Sequence, residues 1–254
     1  MSPAYDVEVL KLRRSRVVLV ATLALALVPA AMARGFLAAA ERGGNDPATL
    51  KAQAMLPGDG WTGYLGGLVQ IYATAGVLGV GIVVGWCFGR EYADRTVVSL
   101  YASATPRYAV TRAKLVLLTL WATGVGLAAV SFTGLLGLAT GLGMPSDGER
   151  QTVARVLVLA VMSGLLALPV ALAASIGRGY LAAVGALLVL VVLAQVATIV
   201  SAGGWWPWSV PAVWAMGDQA GMPAVPPARL LVVPAVALAA SAVTVRWWRH
   251  AEVV

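Results

Sequence analysis

Residues 65–88 read LGGLVQIYATAGVLGVGIVVGWCF. Across this whole stretch there is no Asp, Glu, Lys or Arg. Wound as an α-helix the run is about 36 Å long, enough to cross a hydrocarbon core of roughly 30 Å. A spanning segment has to satisfy its own backbone polar groups, so it is either a helix or part of a closed barrel. Barrel strands alternate apolar and polar residues, whereas this run is apolar on every face, which selects the helix.

Five further runs share this character, at 17–40, 115–142, 154–176, 180–200 and 230–245. The last is short and has room to start earlier, inside the Pro-rich stretch before it. The composition agrees: of 254 residues, 60% are hydrophobic and 11% charged, too few charges to coat a soluble particle of this size. An ordinary soluble enzyme and a disordered chain are both excluded. The fold class expected is an all-α membrane protein, a single transmembrane domain over 1–254 with six spans.

Lys and Arg are unevenly divided between the connections. The N-terminal segment holds Lys11, Arg13, Arg14 and Arg16, and 89–114 holds Arg90, Arg95, Arg107, Arg112 and Lys114. Alternate compartments carry twelve bases against five, with Arg34 left inside the first span. Bases concentrate on the cytoplasmic side, so both termini are expected there, in a multi-pass protein of the plasma or inner membrane. The formal net charge of +7 is then read as topology signal facing anionic lipid, and no nucleic-acid partner is expected. A rival reading takes the first span, with Ala31-Met32-Ala33, as a cleaved signal peptide; it leaves the other five spans unchanged.

Several chemistries are excluded. The single cysteine, Cys87, forms no intrachain disulfide, and the single histidine, His250, supplies neither a histidine-cluster metal site nor a Ser-His-Asp triad. No metal or cofactor site is expected in this chain. None of the six runs contains a carboxylate, the group that usually binds a coupling ion at membrane depth. Energy for uphill transport would then come from outside the chain. Arg34 is expected to snorkel to the outer interface, and Gln195 to hydrogen-bond a neighbouring helix. Gly81, Gly85 and Gly89 repeat every four residues and mark a close helix contact, either with another span or with a second subunit. Pro29 and Pro169 are expected to kink their helices.

The cytoplasmic connection GREYADRTVVSLYASATPRYAVTRAK, residues 89–114, is longer than a plain turn. Val97, Leu100, Tyr101 and Ala104 fall at i, i+3, i+4 and i+7, an apolar helical face. Glu91 and Arg95 are spaced for an i,i+4 ion pair, and Thr105-Pro106 ends the helix. In the N-terminal segment Tyr5, Val9 and Leu12 share a face and Glu8 stands three residues before Lys11, so 1–16 is expected to be an interfacial helix. Both helices suit either a membrane surface or a docking partner.

This layout resembles the permease subunit of type-2 ATP-binding-cassette exporters. The resemblance rests on Glu91, Tyr92, Thr96, Leu100, Pro106, Arg107 and Lys114 in that order, and on Glu8 to Arg16 at the N-terminus. It implies that 89–114 carries a coupling helix, in which Glu91, Tyr92, Arg95, Thr96, Val97, Leu100, Tyr101, Pro106 and Arg107 meet a separate nucleotide-binding subunit. It also implies an interfacial helix bearing Glu8, Lys11, Arg13 and Arg14. A second permease chain, identical or a sister, and short re-entrant helices within the extracellular segment 201–229 are implied as well. The tryptophans of that segment, Trp205, Trp206, Trp208 and Trp214, otherwise read as interface anchors. No GxxxxGK[ST] occurs, so ATP and magnesium would be held by the partner subunit. A non-transporting scaffold or sensor is the alternative, and an intramembrane enzyme built on Ser131, Ser163, Ser175 or Tyr180 a weaker one.

Overall fold

The computed structural model describes residues 3–96, 105–200, 203–217 and 224–251. Every regular element among them is helical, and six helical segments are long and apolar enough to cross a membrane. Helix α1 (Pro3–Arg14) is followed by α2 (Arg16–Glu41), the first span. The two are separated by Ser15, whose Oγ accepts the Val18 N–H at 3.2 Å, so a cap starts the span. A short helix α3 (Pro47–Met55), capped by Asp46, lies in the connection between the first two spans; no apolar run announced it.

Helix α4 (Gly60–Ala93) is the axis of the bundle. It packs against α2, against α6 (Asp147–Ala167) and α7 (Pro169–Ile176), and against α8 (Tyr180–Ile199). Helix α5 (Arg107–Ala139) covers the α2 and α6 side. The fourth span is α6 plus α7, broken at Leu168 by Pro169, which carries no N–H for the ladder; Pro29 stands inside a continuous α2. Ser146 and Glu149 form a reciprocal capping box that starts α6. A helix α9 (Val210–Met216) packs against α6 and α4, and a 3-10 turn at Pro227–Leu231 leads into α10 (Val232–His250). The sixth span therefore starts earlier and runs further than 230–245.

The glycine stripe has an intrachain partner. A Cβ on Gly81 would lie 2.5 Å from Leu187 Cδ1, one on Gly85 2.9 Å from the Ala183 Cβ, and one on Gly89 2.8 Å from Tyr180 Cδ1. All three partners are on α8, so the stripe holds α8 against α4. Small residues are what permit such close approach in lipid, where no hydrophobic force drives helices together. Gln195 of α8 donates to Thr74 Oγ1 of α4 at 2.8 Å, an interhelical hydrogen bond as expected. Near the C-terminal end of α2, Arg34 donates to Thr140 Oγ1 (3.0 Å) and pairs with Glu41 (3.2 Å). The rest of α8 turns outward, with Leu181, Leu188, Val192 and Ile199 exposed.

Candidate functional site

Helix α1, the C-terminal end of α4 and the N-terminal end of α5 meet in a cluster of four charges, three of them buried and Lys11 half-buried. Lys114 Nζ lies 2.5 Å from Glu91 Oε1 and 3.5 Å from Glu8 Oε2. Lys11 Nζ lies 2.7 Å from Glu8 Oε1 and 3.3 Å from Glu91 Oε1. Two carboxylates and two ammonium groups alternate, so the cluster is neutral as a whole. Glu91 is 2% exposed, Glu8 4% and Lys114 5%. Charges at that depth persist only when paired and hydrogen-bonded. Lys114 also donates to the Cys87 carbonyl at 3.0 Å, and Thr96 Oγ1 donates to Glu91 Oε2 at 2.6 Å.

Local sequence explains how these groups converge. Glu8 and Lys11, three apart on α1, stand one turn apart on a single face. Glu91 is in the last turn of α4 and Lys114 about two turns into α5, and the chain reverses between them. Lys11 lies outside the spans. Burial alone would lower its pKa, but the hydrogen bond and charge of Glu8, then those of Glu91, outweigh this and hold it above the ordinary 10.5. Lys11 therefore stays charged at physiological pH.

The expected Glu91–Arg95 pair within one helix is not what forms. Helix α4 ends at Ala93, Asp94 caps it, and Arg95 adopts φ +55°, in the left-handed region. Its side chain therefore leaves the helical register four residues from Glu91. The Glu91 carboxylate turns to Lys114, Lys11 and Thr96. The helix expected around 91–104 consequently does not begin at Glu91, which belongs to the second span's own helix. Val97, Leu100, Tyr101 and Ala104 lie outside the described residues.

The other expected residues occupy positions around the cluster. Pro106 starts α5, so the basic stretch 107–114 is the first two turns of the third span's helix and no separate loop. Arg107 donates to the Ala251 carbonyl at 2.5 Å, joining the start of α5 to the end of α10. Tyr92 meets the Trp248 ring with centroids 5.9 Å apart. Arg13 and Arg14 sit in the last turn of α1 and are exposed. In the sequence Lys114 stood out only as a base of the 89–114 connection and as the last residue of the family resemblance. That it would face Glu8 needed the fold of α1 across α5. Trp248, whose Nε1 donates to the buried Ser175 Oγ at 2.9 Å, was likewise not singled out, since one tryptophan among nine carries no positional signal.

A family model described as "ABC-2 family transporter protein" matches residues 5–194, which takes in α1, the four-charge cluster and nearly all of the first five spans. Comparison with the curated proteins and with the solved structures gave no match. The family model covers about three quarters of the sequence, and the six apolar helices agree with it: the chain belongs to the ABC-2 transporter family, as a membrane component with several spans.

Proposed function

We propose that this chain is the permease subunit of an ATP-driven exporter, coupled to a separate cytoplasmic ATPase that holds ATP and magnesium. The observation that carries the reading is the neutral buried cluster Glu8, Lys11, Glu91 and Lys114. It fastens α1, the end of the second span and the start of the third into one block. The connection 94–106 leaves that block and returns to it, and Thr96 ties the connection's first turn to Glu91. A partner pressing on 94–106 would move the second and third spans together rather than bend a loop. The same block turns ATP-driven closure of a nucleotide-binding dimer into a shift between inward and outward access. A second permease chain completes the path, the exposed apolar face of α8 being available to it. The bias of Lys and Arg supports a cytoplasmic position for the cluster, in a chain of the plasma or inner membrane.

Thr96→Val tests this reading. It removes the hydroxyl that holds the connection to Glu91 while leaving all four charges in place. The variant is expected to co-purify with the ATPase as wild type does, but to lose most of the permease-dependent stimulation of ATP turnover. Full stimulation in Thr96→Val would take this contact out of the coupling route. If no P-loop ATPase co-purifies with the wild-type chain, the permease reading itself fails.

A further inference from the structure

A groove of about 770 Å³ runs along the outside of the bundle between α5 and α10, floored by Leu165 and Leu168. None of the four residues of the charge cluster lines it, and its reading does not depend on the ATPase. Its two ends differ in chemistry. At the inner end are Arg112 from α5 and Arg246, Arg249 and His250 from α10. Below them the walls are Val116 and Leu120 on one side and Pro234, Leu238 and Val245 on the other. Among the described residues no Asp or Glu lines it. Val116, Leu120 and Leu238 are exposed, so the apolar part opens to the surroundings of the bundle.

The dimensions favour one occupant. From Val245 to Pro234 the groove follows α10 for about 17 Å, and one leaflet's hydrocarbon is about 15 Å deep. Arginines stand at one end and apolar walls fill one leaflet's depth below them. Arg249 lies over the Tyr108 ring, 5.0 Å from its centroid, which fixes the guanidinium at the groove mouth. Arg guanidinium matches a phosphate by paired N–H donors. We propose that this groove is a binding site for an anionic phospholipid, its phosphate held by Arg112, Arg246 and Arg249 and one acyl chain laid along Val116, Leu120 and Leu238. A second copy of the chain suits the groove poorly. Two copies related by an axis along the membrane normal would bring the same arginines to the same depth.

The test is native mass spectrometry of the full chain released from nanodiscs of equal phosphatidylglycerol and phosphatidylcholine. Phosphatidylglycerol is expected to be retained preferentially. Arg246→Gln and Arg249→Gln are each expected to lower that preference about fivefold, the effect of one basic residue at a lipid surface. Ala242→Trp, which fills the exposed groove and keeps every charge, is expected to lower retention of phosphatidylglycerol as well. Equal retention of the two lipids, or a preference untouched by the glutamine variants, would overturn the site. So would undiminished retention in Ala242→Trp. Ala242→Cys in a Cys87→Ala background is expected not to cross-link to a second copy in membranes, and efficient cross-linking would give the groove to a protein interface instead.

Discussion

Lys114→Met is expected to destabilise the protein by about 3–5 kcal/mol, the cost of removing one partner from a buried ion pair. The reason is specific to this cluster. Lys114 is the cation nearest Glu91 and also reaches Glu8, and both carboxylates are almost fully buried. Its loss leaves the half-buried Lys11 alone against two buried carboxylates, with a net negative charge. The measurement is thermal unfolding in detergent, with a fall in Tm of roughly 10 °C expected for a chain of this size. Glu91→Gln/Lys114→Met separates charge from packing. It restores neutrality, because Glu8 and Lys11 still pair at 2.7 Å. The double variant is therefore expected to be more stable than Lys114→Met, a non-additivity that a double-mutant cycle reads directly. Equal or lower stability of the double variant would show that the fit of the lysine stem, and not its charge, holds the three helices.

The second large effect is expected at Gly85. Gly85→Val places a branched side chain where even a Cβ would lie 2.9 Å from the Ala183 Cβ. Overpacking of this kind costs about 1–3 kcal/mol. Here the strain falls on α8, the span with the least of its surface buried, whose most extensive contact is with α4. Gly85→Val should loosen α8, seen as faster proteolysis of the connections at either end of it and reduced yield of folded protein. Gly85→Ala is expected to give a milder defect that Ala183→Gly relieves, since the second change restores the missing space from the other side. Failure of that rescue would mean that the α4–α8 approach is set elsewhere along the stripe.

How much of this was legible in the sequence depends on the range of the interaction. The spans were legible because the bilayer imposes a local rule, about twenty apolar residues in a row. Gly81, Gly85 and Gly89 were legible as a contact line for the same reason, though not that α8 was the partner. Glu8 with Lys11 was legible as a one-turn pair. Glu91 with Lys114 was not, because the two stand 23 residues apart and local spacing offered Arg95 as the nearer cation. Tertiary burial reversed that choice: Arg95 lies past the end of α4 in a left-handed turn, while Lys114 is brought beneath Glu91 by the return of α5. Helix α3 escaped notice because it is set by its Asp46 cap and Pro47 and not by hydrophobic period, whereas the early start of the sixth span was legible in the Pro-rich stretch before it.

The central claim is that the connection following Glu91 faces the cytoplasm and is covered there by an ATPase. Arg95→Cys in a Cys87→Ala background puts a single exposed thiol on that connection, and a membrane-impermeant maleimide reads its side. Labelling is expected in inverted vesicles, none in intact cells, and protection once the ATPase is bound. Labelling from outside intact cells, or labelling in inverted vesicles that the bound ATPase leaves unchanged, would contradict it.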